Sequence, residues 1–369
     1  MLSGTLSGSP VHDPERGPRV TATDNRAGDE TVGLREAMVR ELLRSGDICS
    51  EAVAQAVRSV PRHLFAPEFS RQETYHPDKA LVTKRDSRGS ATSSLSATHM
   101  QVTMLEQADV EPGMSVLEVG SGGYNAALLC ELVGEHGRVV SLDIDPEVTA
   151  RARSCLATAG YADRVEIVDG DAEHGYAPAA PFDRVLVTAG AGDVPPAWRQ
   201  QLAVGGRIVV PLRLRGMTRS VVLEVAEDRL VSTDCRMAGF VPMQGEGARE
   251  QRRVPLDDSG VALWLDEEVT LDAAGLQQAL QGSRVQRWPG IEFDDPPNTH
   301  LWLATAPPVV GVLTADEAAT ESGLVAPSAG CGRASVDPGR VVRVPHETAD
   351  REPAGQVRAR RARPRATRQ

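Results

Sequence analysis

The sequence predicts an α/β protein with a mostly parallel sheet, an antiparallel edge and a small α/β domain appended on the C-terminal side. Short apolar segments alternate with helical segments between residues 115 and 212. A glycine-rich turn follows the first of these apolar segments, and two further strands come later without a helix between them. Strand–helix alternation indicates parallel strands covered by helices on both faces. Successive strands without an intervening helix indicate antiparallel pairing.

Helical spacing of apolar residues predicts three helices before the sheet. The first begins at Leu34, the second covers residues 52–60 and is ended by Pro61, and the third covers residues 97–107. No element is predicted in the polar segment between the second helix and the third. Residues 1–32 are rich in Gly, Ser, Pro, Asp and Thr without an apolar period, which predicts a disordered head.

Five short apolar segments predict the strands that alternate with helices, at residues 115–119, 138–142, 165–168, 184–188 and 206–212. The helices predicted between them lie at residues 124–133, 146–159 and 196–203. Strands at 220–225 and 231–241 add the antiparallel edge and complete a domain over residues 33–245. Residues 246–315 are predicted to form the small appended domain, because apolar segments flank a helical stretch at 276–280. Residues 316–369 predict an Arg-rich flexible tail.

Composition excludes several classes of function. The net charge of −11, from 40 Lys and Arg against 51 Asp and Glu, argues against a nucleic-acid partner. The apolar runs are too short for a membrane-spanning helix. The cysteines are odd in number and widely spaced, which predicts neither a disulfide framework nor a metal site and favours a cytoplasmic protein. They are Cys49, Cys130, Cys155, Cys235 and Cys331.

The segment VLEVGSGGYNAALL, residues 116–129, carries the chemistry. Its glycines let the backbone approach a ligand between a strand and a helix, and Asp143, which closes the next strand, can bind ribose hydroxyls. The carboxylate of Glu118 would repel a pyrophosphate, which argues against a nicotinamide dinucleotide dehydrogenase. It suits S-adenosyl-L-methionine, which has no phosphate and carries a sulfonium and an ammonium. The sequence therefore predicts a Rossmann-like sheet that binds this cofactor.

Further stretches occur in the order found in one enzyme family. They are VPRHLFAP at 60–67, LSATHM at 95–100, DGDAEHGYAPAAPFDRVLVTAG at 169–190 and AGFVPMQG at 238–245. From about residue 60 to residue 245 the chain resembles the protein-L-isoaspartate O-methyltransferases. The resemblance implies methylation of an aspartyl or isoaspartyl carboxylate in a protein or peptide, followed by closure of the ester to a succinimide.

The resemblance also implies roles for individual residues. Ser96 would orient the substrate carboxylate, although on its sequence position alone it could be the N-cap of the following helix. Cofactor contacts would come from the ends of three strands, at Glu118, Gly120, Ser121, Gly122, Gly123, Asp143, Ile144, Asp171 and Ala172. Within this set, Glu118 and Asp143 could instead be ordinary strand-end acids, and Asp171 could be only a turn residue.

The chain departs from the family pattern at several points. The glycine turn is one residue shorter, Thr98 replaces a proline, and Ala172 replaces a glycine. With the appended domain, these departures place the chain away from housekeeping repair enzymes. The shortened turn and the stretch HLWLAT at 300–305 are similar to a bacterial branch found with lanthipeptide and graspetide biosynthesis genes. That branch is implied to modify an aspartate of a ribosomally made peptide. General repair of isoaspartyl-damaged proteins is one alternative, and a non-catalytic, partner-binding methyltransferase-like protein is another. The sequence predicts no oligomeric state.

Overall fold

A seven-stranded sheet forms the centre of the computed structural model, which describes residues 22–87, 89–120, 122–249, 251–256, 261–266, 268–281, 311–314 and 340–342. In chain order, the first nine described strands are β1 (Leu81–Arg85), β2 (Ala91–Leu95), β3 (Ser115–Val119), β4 (Arg138–Asp143), β5 (Val165–Asp169), β6 (Phe182–Val187), β7 (Leu202–Leu214), β8 (Met217–Ala226) and β9 (Arg229–Met237), and the last seven of them form this sheet. The sheet has the order β5-β4-β3-β6-β7-β8-β9. In this order, the five strands β5, β4, β3, β6 and β7 pair in parallel with their neighbours, and β8 pairs antiparallel with both β7 and β9. This pairing confirms the predicted fold class.

Helices pack on both faces of this sheet and form two apolar clusters. They are α1 (Ala22–Ser45), α2 (Glu51–Ser59), α3 (Arg71–Thr74), α4 (Thr98–Ala108), α5 (Tyr124–Val133), α6 (Pro146–Ala159) and α7 (Pro196–Gln200). Helix α6 shows how local sequence sets the bounds: Asp145 accepts a hydrogen bond from the Glu147 amide, Pro146 is the first helical residue, and Gly160 ends the helix in the left-handed conformation. Among the described helices, none is long and apolar enough to cross a membrane.

Two segments before the sheet differ from the sequence prediction. Helix α1 begins at Ala22, so residues 22–32 are helical rather than disordered, and Gln72 donates a hydrogen bond to Glu30 across 3.2 Å. Residues 1–21 of the predicted head lie outside the described residues. Strands β1 and β2 form a hairpin inside the polar segment where no element was predicted. This hairpin buries little apolar surface apart from the pair Leu81 and Leu95 at its base.

The appended region forms its own antiparallel sheet from β10 (Arg252–Pro255), β11 (Ala262–Leu265), β12 (Gly311–Thr314) and β13 (Arg340–Val342). Helix α8 (Ala273–Gln281) packs on a small apolar cluster in this region. Strand β13 comes from the segment predicted as tail, so the sheet extends past residue 315. Asp266 joins the region to the main sheet, because its carboxylate accepts hydrogen bonds from Arg213 at 3.2 Å and from the Gly216 amide. The predicted apolar segment around Trp302 lies outside the described residues.

Candidate active site

A cleft of about 590 Å³ opens at the carboxyl ends of β3, β4 and β6. Ligands commonly bind at this edge of an open parallel sheet. Its walls come from the hairpin, the strand ends and the segment after β9. The lining residues are Thr92, Ser93, Ser94, Val119, Gly120, Gly122, Leu142, Asp143, Ile144, Ala172, Thr188, Ala189, Val241, Pro242, Met243 and Gln244.

The glycine turn after β3 needs glycine at two positions. Gly120 has φ +97°, and a Cβ built there would lie 2.4 Å from Thr188 Oγ1, whose hydroxyl donates to the Val119 carbonyl at 3.0 Å. Gly123 has φ +80°, and a Cβ there would lie 3.2 Å from the Phe65 ring. Both the backbone conformation and the available space therefore exclude larger residues. Gly120 and Gly122 line the cleft, Gly123 opens helix α5 behind it, and Ser121 lies outside the described residues.

Glu118 lies behind the turn and does not line the cleft. Its side chain is fully buried and accepts hydrogen bonds from Asn125 Nδ2 at 2.9 Å and from the Ser141 hydroxyl. Burial raises the pKa of Glu118 to about 7, the two hydrogen bonds oppose this rise, and the nearby charge of Asp143 adds to it. The turn is therefore backed by a carboxyl group that titrates near neutral pH.

The ends of the next two strands supply the other predicted contacts. Asp143, Ile144 and Ala172 all line the cleft. Asp143 Oδ1 also accepts a hydrogen bond from the Asp145 amide at 2.9 Å, which orients the carboxylate at the strand end. Asp171 does not line the cleft: its two oxygens accept the amides of Glu173 at 2.9 Å and Glu246 at 2.8 Å. These hydrogen bonds shape the backbone next to Ala172, and a contact between Asp171 and the cofactor stays a prediction.

The cleft also contains residues that sequence reasoning missed. Thr92, Ser93 and Ser94 on β2 form one wall, and the hairpin is tied to the far side through Lys84, whose ammonium lies 2.6 Å from Asp145 Oδ2. Thr188 and Ala189 after β6 and residues 241–244 form other walls. The sequence signals for these walls were the Ser and Thr residues before Ser96 and two stretches that carried the resemblance, one that includes Thr188 and Ala189 and the other AGFVPMQG. None of these wall residues was assigned to the site.

Ser96 follows β2 directly, two residues beyond Ser94 of the cleft wall. Helix α4 begins at Thr98, and its N-cap is Ala97, which makes no side-chain capping hydrogen bond. The alternative that Ser96 caps this helix is therefore wrong. The Ser96 carbonyl accepts a hydrogen bond from Arg62 Nη2 at 2.7 Å, and the side chain is half-buried.

The chemistry of the cleft can be compared with that of possible ligands. Among its described lining residues there is no Lys, Arg or His that would attract an anionic group. The carboxylates of Asp143 and, behind the turn, Glu118 instead favour a cationic ligand with ribose hydroxyls. The residues present therefore fit S-adenosyl-L-methionine. Within the part of the chain that the structure describes, no group of three or more His, Cys, Asp or Glu side chains could hold a metal ion.

Comparison with known proteins agrees with this geometry. The family model for protein-L-isoaspartate(D-aspartate) O-methyltransferase matches residues 34–248, which contain every wall of the cleft. A protein-L-isoaspartate O-methyltransferase of Methanopyrus kandleri is 42% identical over 215 residues, 58% of this chain and 92% of its own length. The corresponding protein of Hyperthermus butylicus is 39% identical over 226 residues, 58% of this chain and 91% of its own length.

Solved structures give the same picture. A protein-L-isoaspartate O-methyltransferase structure is 29% identical and matches with a TM-score of 0.53 over 58% of this chain and 67% of its own. A Plasmodium falciparum structure described as a putative member, in complex with S-adenosyl-L-homocysteine, is 16% identical with a TM-score of 0.50 over 57% of this chain and 98% of its own, and supports the fold. The chain belongs to the protein-L-isoaspartate(D-aspartate) O-methyltransferase family and is a methyltransferase of that type that uses S-adenosyl-L-methionine.

Proposed function

We propose that this protein transfers a methyl group to the side-chain carboxylate of an isoaspartyl or aspartyl residue in a protein or peptide, and that the ester then closes to a succinimide. The observation that carries the proposal is the family match across residues 34–248, which includes the whole cleft and Ser96. The accepting carboxylate is already ionised at neutral pH, so no general base is needed. The chain then has to place the carboxylate oxygen in line with the methyl group.

The proposal assigns each side of the cleft a part of the cofactor, which supplies an electrophilic methyl group on its sulfonium when bound. Asp143 and Ile144 hold the ribose, since both line the cleft at the end of β4. The glycine turn, Gly120 to Gly123 with Ser121 included, accommodates the methionine part. Ala172 lies against the adenine, and Asp171 contributes by fixing the turn that carries Ala172. Glu118 orients the turn from behind and balances the positive charge of the cofactor.

Ser96 orients the substrate carboxylate in this proposal. Its hydroxyl is available for that role because Ala97, not Ser96, occupies the cap position of α4. Ser94, two residues earlier, already lines the cleft. A hydroxyl that donates to one carboxylate oxygen leaves the other free to accept the methyl group.

The proposal has a broad and a narrow form, which differ in the range of substrates. The relatives are named for isoaspartate methylation, which supports repair of isoaspartyl-containing proteins as the broad form. Modification of an aspartate in a ribosomally made peptide is the narrower form. The shortened turn and the appended sheet, which lies beyond the matched residues 34–248, favour it. A partner-binding role without catalysis is disfavoured by the complete cleft. The described cysteines, Cys49, Cys130, Cys155 and Cys235, are free thiols, which supports a reducing, cytoplasmic setting.

A pair of peptides tests the proposal. The purified chain is incubated with S-adenosyl-L-methionine and either an isoaspartyl peptide or the same peptide with ordinary aspartate, and products are followed by mass spectrometry. We expect the mass of one added methylene group on the isoaspartyl peptide, followed by loss of methanol. Methylation of the aspartyl peptide alone would support the narrower form, and methylation of neither peptide despite calorimetric binding of the cofactor would contradict the broad form.

A further inference from the structure

Arg62 is a fully buried cation that the proposed reaction does not use. Its side chain is 0% exposed, and none of the described carboxylates forms an ion pair with it. Burial lowers the pKa of Arg62, while the ionisable phenol group of Tyr124 opposes this fall, and the Tyr124 ring lies 4.8 Å from the guanidinium carbon. An arginine without an acidic partner is expensive to bury. Its presence at this position therefore calls for a role beyond packing.

The guanidinium connects three separate pieces of the chain. Nε donates to the Thr74 carbonyl at 2.8 Å, Nη1 donates to Gln101 Oε1 at 2.8 Å, and Nη2 donates to the Ser96 carbonyl at 2.7 Å. Gln101 lies in the first turn of α4, so Arg62 joins Ser96, two residues before the first residue of the helix, to the helix itself. The N-cap residue Ala97 makes no side-chain capping hydrogen bond, so the hydrogen bonds of Arg62 to Ser96 and Gln101 hold the beginning of α4 instead.

The same guanidinium also contacts the helix that follows the glycine turn. Tyr124 is the first residue of α5 and directly follows the glycine turn, and it is fully buried against Arg62. A guanidinium is planar and its donors point in fixed directions, so it sets positions that a lysine ammonium cannot set. Arg62 thus relates the backbone of Ser96 to the start of α5 through one rigid group.

We propose that Arg62 is a positioning residue for Ser96: it holds the Ser96 backbone so that the hydroxyl meets the substrate carboxylate at the right distance from the methyl group. The inference rests on the proposed function, in which Ser96 touches the substrate. It assigns Arg62 no contact with cofactor or peptide. Loss of the fixed geometry therefore lowers kcat and leaves cofactor binding nearly unchanged.

A double-mutant cycle between Arg62→Lys and Ser96→Ala tests this. We expect Arg62→Lys to lower kcat on an isoaspartyl peptide by roughly ten- to a hundredfold, as misplacement of a reacting group does. In the Ser96→Ala background the same change should lower kcat by less than about threefold, because residues that act as a unit are not additive. The dissociation constant of S-adenosyl-L-homocysteine, measured by calorimetry, should stay within about threefold.

Arg184 provides a matched control. It is also a buried arginine bound to carbonyls of α4, but at the other end, where it donates to the carbonyls of Ala108 and, at 2.9 Å, Asp109. Arg184→Lys should lower the melting temperature by an amount similar to Arg62→Lys and keep kcat. Equal losses of kcat in both variants, or full additivity in the cycle, would overturn the inference.

Two further outcomes separate the inference from the proposed function. If Ser96→Ala alone keeps its kcat, the assigned role of Ser96 is wrong and the inference falls with it. If Ser96→Ala is impaired and folded Arg62→Lys is not, only the inference is overturned. Should Arg62→Lys fail to fold, Gln101→Leu removes the acceptor of Nη1 and keeps the arginine. The inference then requires a fall in kcat that disappears in the Ser96→Ala background.

Discussion

Replacing Glu118 with glutamine should change how stability depends on pH. The folded state raises the pKa of this buried carboxyl from its ordinary value of 4.5 to about 7, mainly through burial. Folding therefore favours the protonated form, and this stabilising contribution is complete below about pH 4 and is lost as pH rises through 7. A shift of this size corresponds to roughly 3 kcal/mol between pH 4 and pH 8, at 1.36 kcal/mol for each pH unit. Glutamine keeps the shape and an acceptor for Asn125 without ionising.

Urea unfolding of the cofactor-free protein at several pH values measures this difference. Relative to the wild type, Glu118→Gln should gain about 3 kcal/mol of unfolding free energy as the pH is raised from 4 to 8. Glu166→Gln is the control with the opposite sign, because Arg138 and Tyr176 lower the pKa of Glu166 and its stabilising contribution is lost as pH falls. A difference between wild type and Glu118→Gln that stays constant across this pH range would refute the reasoning.

Cofactor binding provides a second readout of the same group. If the cationic cofactor requires ionised Glu118, the apparent affinity scales with the ionised fraction. With a pKa of about 7 that fraction falls about tenfold from pH 8 to pH 6. Calorimetry with S-adenosyl-L-methionine should therefore give up to about tenfold weaker binding at pH 6 for the wild type, beyond any change seen in Glu118→Gln.

Three further variants test the site. Ser96→Ala should lower kcat by roughly ten- to a hundredfold and keep calorimetric binding of S-adenosyl-L-homocysteine. Gly120→Ala should lose about 1–3 kcal/mol more unfolding free energy in urea than Gly134→Ala, because both have positive φ but only Gly120 meets a neighbour, the Thr188 hydroxyl. Asp143→Ala should weaken cofactor binding by about ten- to a hundredfold through the lost ribose contacts, with kcat at saturating cofactor less affected.

For each of these three variants, one result would contradict the structural reasoning behind the prediction. An unchanged kcat in Ser96→Ala removes the serine from the proposed reaction. Equal destabilisation of Gly120→Ala and Gly134→Ala shows that the contact with Thr188 yields without cost. Unchanged affinity in Asp143→Ala shows that its carboxylate does not hold the cofactor.

The strands and helices around the glycine turn could be predicted because burial on both faces makes them continuously apolar. The bounds of β3 and α5 were predicted at the residues where the structure has them. The hairpin could not be predicted, since half of its strand residues are Thr, Ser or Lys and only Leu81 and Leu95 are buried. The first turns of α1 also lack a signal, because residues 22–32 show no apolar period in the sequence.

The site residues also differ in whether a short stretch of sequence is enough to predict their role or whether the role depends on distant parts of the chain. Glycine positions and strand-end acids are local features, so Gly120 and Asp143 could be named from the sequence. The surroundings of Glu118 depend on strand pairing: Ser141 lies opposite Glu118 in the parallel ladder of β3 and β4, and no single segment shows this. The partners of Arg62 come from three distant segments, so the stretch VPRHLFAP carried the resemblance without revealing what its arginine holds.

The two ends of the hairpin wall are held by different kinds of interaction. Its base is fixed, since Leu81 and Leu95 are buried in the core and Arg62 holds the Ser96 carbonyl just beyond. Its outer part is held by ion pairs from Lys84 to the partly buried Asp145 and to the exposed Glu147, and salt screens the exposed pair more strongly. The wall of the cleft that carries Thr92, Ser93 and Ser94 therefore depends on charge pairing at its outer end and on apolar burial at its base, so we expect rising salt to loosen the outer end first.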